Sequence, residues 1–221
     1  MRQRSTRPDG EATRTKIMES AGELFAINGF ADTTSKAIAA RAGVDLASIN
    51  YHFGSRVGLY QATLIEAHRR LMSVSDLTRL ATAPVPPSDK LRQFIAYFVD
   101  LARGPDPGWH LSLLAGEIFS PSSHIHAMFQ TESQPKITLL KTILAEITDI
   151  PAGDPAITCC MVSIGAPCVM MLLSRDKLPG PMHDIHQMSA AELTEHLHQF
   201  ALAGLSSVGQ RYAAKSRQQN T

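Results

Sequence analysis

Three observations predict an all-α chain of about nine helices. Apolar residues recur at i, i+3 and i+4 along most of the 221 residues, the spacing that lines one face of a helix. No stretch has the strict apolar–polar alternation of a half-buried strand, and no internal repeat is present. Clusters rich in Pro and Gly, namely TAPVPPS (82–88), GPDPG (104–108) and PAGDP (151–155), cut the periodic stretches into pieces of helical length.

Taken in order, residues 1–10 are polar and broken by Pro8 and Gly10, which predicts a mobile basic arm. From about Thr13 to Asn28, Ile17, Ala21, Leu24 and Phe25 form one apolar stripe, and Asn28-Gly29 ends the helix with Phe30 tucked back against it. Thr34 can cap a short second helix whose narrow apolar face is Ile38, Ala39 and Ala42. Gly43 follows where the chain needs a positive φ. A third short helix carries Ile49 and Phe53 inward. Ser55 then caps a connector, with Val57, Tyr60, Leu64, Ala67 and Leu71 on one stripe, running over about 56–76. Beyond the first proline-rich loop, 89–103 and 109–119 read as helices, and 122–149 as a longer one that Pro135 kinks or breaks. Residues 156–173 are nearly all apolar, so this helix is expected to be buried all round, within the chain or against a second copy. KLPGP and a polar loop lead to Ser189-Ala-Ala-Glu192, a capping box that opens the last helix.

The chain is organised around Thr34 to Arg56, TSKAIAARAGVDLASINYHFGSR. Two short helices about a glycine turn match a helix-turn-helix DNA reader, and an ordinary helical hairpin is the bland alternative. The second helix decides between them. Its outer positions hold Ser48, Asn50, Tyr51 and His52 where a merely solvated helix would carry Lys, Glu or Gln. Such short or rigid hydrogen-bonding groups suit phosphates and base edges. Thr34, Ser35 and Lys36 open the first motif helix, where free N–H groups and hydroxyls can bind a phosphate. Ala47 and Ser48 are expected to face base edges, and Ala47 can touch a thymine methyl. Asn50 is expected to read a base or the backbone; Tyr51, His52 and Arg56 are expected phosphate contacts.

TTSKAIAARAGVDLASINYHFGSRVGLY resembles the N-terminal segment of the tetracycline-repressor (TetR) family of transcriptional regulators. The resemblance rests on the TT pair, the AxxAGV turn, the YHF run and the basic residue two after the glycine of FGSR, over roughly 13–64. DLASINYHFGS is especially similar to a CecR-like subgroup. Arg56 stands where the family usually has Lys, with the charge kept. The resemblance implies frequent DNA contacts at Ser35 and Lys36, a homodimer through a bundle of the last helices, and a C-terminal effector cavity among the helices of about 89–175. Candidates for its wall are Phe94, Phe98, Trp109, Leu113, Glu117, Met128, Phe129 and Met170; Trp109 and Glu117 need polar partners if buried.

The chain is 44% hydrophobic and 19% charged, values of a soluble globular protein, and is long enough for a substantial core. Its net charge of +1 hides an uneven distribution: residues 1–16 and 211–221 each sum to +3 and 61–210 to −4. A basic N-terminus fits a neighbourhood of phosphates, while the C-terminal charge reads as a solvated tail. Three cysteines, 159, 160 and 168, make no disulfide framework and fit a reducing cytoplasm. The N-terminus has no apolar segment and no run of about 18 apolar residues is present, so neither signal peptide nor membrane span is expected.

Other chemistry is thin. His196 and His198 are on different faces of a helix, His183 and His186 are expected in a loop, and Cys159 and Cys160 are adjacent, so no metal site or cofactor is expected. Ser133-x-x-Lys136 has the spacing of some hydrolases, but four residues match by chance. The expectation is therefore a cytoplasmic DNA-binding regulator and not an enzyme: a homodimeric repressor with a helix-turn-helix domain at 1–60 and an effector-binding and dimerisation domain at 61–221. It pairs through about 156–173 and 189–210 and leaves a palindromic operator when a small hydrophobic effector binds. The alternatives are a helical enzyme with a structural hairpin, which would show no salt-dependent DNA affinity, and a metal- or redox-responsive sensor, which would retain metal or release DNA in a thiol-dependent way.

Overall fold

The computed structural model of the chain describes residues 8–105, 108–174 and 179–219. In chain order the helices are α1 (Pro8–Asp32), α2 (Ser35–Ala42), α3 (Leu46–Phe53), α4 (Arg56–Leu71), α5 (Val74–Ala81), α6 (Pro87–Arg103), α7 (Trp109–Phe119) and α8 (Ile125–Met128). A π turn (Phe129–Ser133) follows, then α9 (Gln134–Thr148), α10 (Pro155–Ser174), α11 (Pro181–Gln187) and α12 (Ala190–Gln219). Ten of these helices have eight or more residues, and no strand occurs among the described residues. The chain is all-α, as its periodicity predicts.

Two compact units are present. The first comprises α1–α4 with α7, α8 and the π turn. Its core joins Ile17, Ala21 and Phe25 of α1, Ile38 of α2, Ile49 of α3 and Leu59 and Leu64 of α4 to Trp109 and Leu113 of α7. Gly22 makes one of these approaches possible: a Cβ there would stand 2.3 Å from the Trp109 indole, so only hydrogen lets the ring lie on α1. The second unit comprises α5, α6 and α9–α12, with α6 packed on α9, α10 and α12. Leu91, Ile95 and Val99 of α6, Ile143 and Leu144 of α9, Ile157 and Leu172 of α10 and Leu205 of α12 are buried there.

Several boundaries differ from the sequence expectation. Residues 1–7 of the expected arm are outside the described residues, and α1 already begins at Pro8. Gly29 breaks that helix as expected, with φ 74° and ψ 176°. The connector ends at Leu71, not near 76, because Met72 is extended and buried, and α5 follows it. Pro135 has no N–H to offer the preceding turn, and the chain widens into the π turn directly before Gln134-Pro135. The expected polar loop before Ser189 holds α11. Helix α10 is long and apolar enough to cross a membrane, with mean hydropathy 2.1, yet it packs on α6, α9 and α12. It is not buried all round: Cys159, Val162, Ala166, Pro167 and Met170 form an exposed stripe.

Candidate nucleic-acid interface

The reading head is built by caps. The Thr34 hydroxyl oxygen accepts from Ala37 N at 3.1 Å, fixing the start of α2. Gly43 ends α2 at φ 67° and ψ 38°, and its N–H returns to Ala40 O and Ala39 O. Asp45 then caps α3, accepting from Ser48 N at 2.7 Å and from the Ser48 hydroxyl at 2.6 Å. These bonds, the side-chain one foremost, hold the Asp45 carboxyl below its usual range. Ile38, Ala39 and Ile49 point inward, so α3 presents Leu46, Ala47, Asn50 and Tyr51 to solvent.

Among the expected DNA contacts, Thr34, Lys36, Ala47, Asn50 and Tyr51 are exposed, and Tyr51 stands out at 85%. His52 is half-buried with its ring edge-on to Tyr51, centroids 5.0 Å apart. Ser35 is partly buried in the first turn of α2, and Ser48 uses its hydroxyl proton in the α3 cap. Arg56 is turned inward: Nη1 donates to Phe30 O at 2.9 Å and Thr33 O at 2.7 Å, and the guanidinium lies 4.2 Å from the Phe30 ring centroid. Sequence reasoning passed over Asp45 and Leu46. An Asp directly before a short periodic helix is an N-cap signal and would have found the first. Nothing in the pattern separates an exposed Leu46 from a core leucine.

The junction below the reading head is secured from both sides. Thr33, 1% exposed, donates its hydroxyl to Gly29 O at 2.7 Å, while Arg56 grips the neighbouring carbonyls. Phe30 packs on Phe25, Tyr60 and His124. The Tyr60 hydroxyl donates to Glu117 Oε1 at 2.6 Å, and Ser122 N donates to Glu117 Oε2 at 2.9 Å. Burial, reinforced by that carboxylate, pushes the Tyr60 hydroxyl well above its ordinary pKa. On the other side of α1, Trp109 Nε1 donates to Glu19 at 2.8 Å and Arg70 pairs with Glu19 and Glu66. The Arg70 hydrogen bond, followed among the favourable contacts by that of Trp109, keeps the Glu19 carboxyl below its usual range. Glu23 pairs with Arg41, joining α1 to α2.

The expected effector wall does not come together in either unit. Trp109, Leu113, Glu117 and Met128 belong to the first unit, where Trp109, Leu113 and Met128 are core and Glu117 is the partner of Tyr60. Phe94 and Phe98 are in the second unit, buried with centroids 4.9 Å apart. Phe129 and Met170 are 47% and 49% exposed. Apolar residues on consecutive helices look alike in sequence whichever core they enter. Trp109 and Glu117 do find the polar partners their burial requires. No group of three or more metal-ligating side chains occurs among the described residues. His183 and His186 are on α11, and the His198 ring nitrogen is 2.9 Å from Ser88 O. Ser133 meets His68 at 3.2 Å. Cys160 and Cys168 are buried, and burial pushes the Cys168 thiol up to about 11.

Two capped helices, the second with an exposed, uncharged hydrogen-bonding face, define a helix-turn-helix nucleic-acid reader. Residues 17–63 match the family of bacterial regulatory proteins called the tetR family, and 87–205, more than half of the chain, match the C-terminal domain of the HTH-type transcriptional dual regulator CecR. The chain belongs to the TetR family of transcriptional regulators, with a CecR-type C-terminal domain. Among curated relatives it is 36% identical over 61 residues to the regulator SrpR of Pseudomonas putida, covering 28% of this chain and 29% of SrpR. It is 31% identical over 65 residues to UidR of Escherichia coli K12, covering 29% and 33%. The match thus spans about a third of those proteins. Solved structures of like fold include a TetR-like regulator from Rhodococcus sp. RHA1, at TM-score 0.63 and 17% identity over 92% of this chain and 99% of that one. PfmR from Thermus thermophilus matches at TM-score 0.60 and 20% identity over 85% and 97%. The matching family descriptions and the curated relatives named above are those of transcriptional regulators and not of enzymes.

Proposed function

We propose that the chain is a ligand-responsive, homodimeric repressor that binds a palindromic operator through residues 1–60 and uses residues 61–221 for pairing and effector binding. The observation that carries the DNA contact is the outer face of α3, where Ala47, Asn50 and Tyr51 stand clear of a helix otherwise fixed by caps and core. Asn50 is suited to adenine, Ala47 and Leu46 to a thymine methyl, and Tyr51, His52, Lys36 and Ser35 to phosphates. Thr34 and Ser48 act through the caps that aim the two helices. Arg56 serves as a clamp on the α1–α2 junction.

Pairing is supported by the outer face of the second unit. Val162 and Met170 of α10 and Phe200 of α12 are 56%, 49% and 77% exposed, too much apolar surface to leave in water on two adjacent helices. Phe200 lines an apolar groove of about 420 Å³ between the same two helices, whose walls include Ile164, Pro167, Cys168 and Gly204. A two-fold partner would fill it and set two α3 helices in successive major grooves, roughly 34–36 Å apart. In this reading Met170 belongs to the dimer, while Phe94 and Phe98 stay as candidates for an effector wall. An effector that prefers one spacing of the reading heads over the other releases DNA by shifting α4. Function in the cytoplasm follows from this role.

Selection of bound sequences from random duplex DNA tests the reading. The wild-type protein is expected to enrich an inverted repeat, and Tyr51→Ala to lose it. No enrichment, or enrichment untouched by Tyr51→Ala, would leave the hairpin a scaffold.

A further inference from the structure

Arg14 is on α1, outside the helix-turn-helix, yet its guanidinium carbon is 5.2 Å from the centroid of the Phe53 ring. Phe53 is the last residue of α3 and directly follows Tyr51 and His52. The Glu11 carboxylate is 4.0 Å from Arg14 Nη1, beyond hydrogen-bond distance, and the two side chains are 41% and 67% exposed. A guanidinium held against an aromatic ring loses rotamer freedom but keeps its planar fork of N–H donors at the edge, which is the geometry that grips a phosphate. Arg56 has the opposite arrangement. Its Nη1 is engaged by two backbone carbonyls and its face by Phe30.

We propose that Arg14, held beside the end of the recognition helix by Phe53, is a phosphate-binding residue of the DNA interface, and that Arg56 supplies no such contact. The proposal rests on α3 entering DNA. It extends the footprint from the two motif helices onto α1, so that one phosphate next to those met by Tyr51 and His52 is gripped from a third helix. It also fits the charge of the recognition helix: α3 carries neither Lys nor Arg, so its cations come from neighbouring elements, Lys36 of α2 and Arg14 of α1.

The test measures binding of the full chain to a mixed-sequence duplex of about 30 base pairs across a salt series, for wild type, Arg14→Gln, Arg14→Lys, Arg56→Gln and Lys16→Gln. Each phosphate contact contributes about 0.9 to the slope of log affinity against log salt concentration. Arg14→Gln is expected to lower that slope by about 0.9 per chain with an unchanged thermal midpoint, and Arg14→Lys to restore most of it. Arg56→Gln is expected to lower the thermal midpoint and leave the slope alone. An unaltered slope in Arg14→Gln overturns the proposal. So does an equal drop in Lys16→Gln, which would mark a diffuse charge effect. Absence of salt-dependent binding by the wild type would instead defeat the DNA-reading assignment itself.

Discussion

Helices α3 and α10 both expose faces without a charged side chain, and the two faces differ in everything else. On α3 the outward groups are Asn50 and Tyr51, rigid donors and acceptors, beside apolar Leu46 and small Ala47 on a helix of eight residues. On α10 they are Cys159, Val162, Ala166, Pro167 and Met170, a mostly apolar stripe with Ser163 its one hydroxyl, on a helix of twenty. The first face is too polar to be a protein core and too poor in charge to be plain solvent surface. The second is too apolar to be plain solvent surface, which is why the proposed pairing is placed there. The lesson is that a missing charge has to be read with the chemistry that replaces it: hydrogen-bonding groups point to DNA, methyls and thioethers to another protein surface.

The largest effect is expected at the apolar face. Phe200→Glu puts a carboxylate into the groove, and sedimentation should show monomers whose affinity for a two-half-site operator falls by about 10²–10⁴-fold, because the second half-site no longer binds intramolecularly. Next is Arg56→Gln, which removes a cation from two carbonyls and a ring. Denaturant unfolding should report a loss of about 1.5–3 kcal/mol. Asn50→Ala should leave folding intact and relax base preference at one position of each half-site by about 1–3 kcal/mol, read by competition between operator variants. The smallest effect belongs to Glu19→Gln. The Arg70 hydrogen bond depresses the pKa of Glu19 in the folded chain, so its contribution is complete above the ordinary carboxylate range and is lost as pH falls through the depressed value. Glu19→Gln should therefore be less stable by up to about 1 kcal/mol at neutral pH and match the wild type in acid, by thermal unfolding across pH.

The two faces were not equally legible in the sequence. The reading head is made of local rules: Thr34 and Ser55 as caps, Gly43 in the left-handed region, and Ile38, Ala39 and Ile49 at helical spacing all appear where short-range chemistry puts them. Even there the pattern leaves the direction of Arg56 open, because a cation two residues after Gly54 can turn outward to phosphate or back onto carbonyls, and only the fold brings Phe30 and Thr33 within reach. The residues expected to wall an effector cavity are divided between the two units for a reason of the same kind. Trp109 and Phe94 are equally apolar neighbours in sequence, but Gly22 admits the Trp109 ring to the α1 core while Phe94 joins Phe98 in the second unit. The stripe on α10 was visible as composition; which half of it packs inward was not.

The stoichiometry of the complex on a selected operator tests the central claim most directly. Sedimentation equilibrium of the wild-type protein with that duplex is predicted to give two chains per inverted repeat, and Phe200→Glu a single chain on one half-site at higher protein concentration. One wild-type chain per site, or Phe200→Glu binding as a pair with unchanged affinity, would contradict the account.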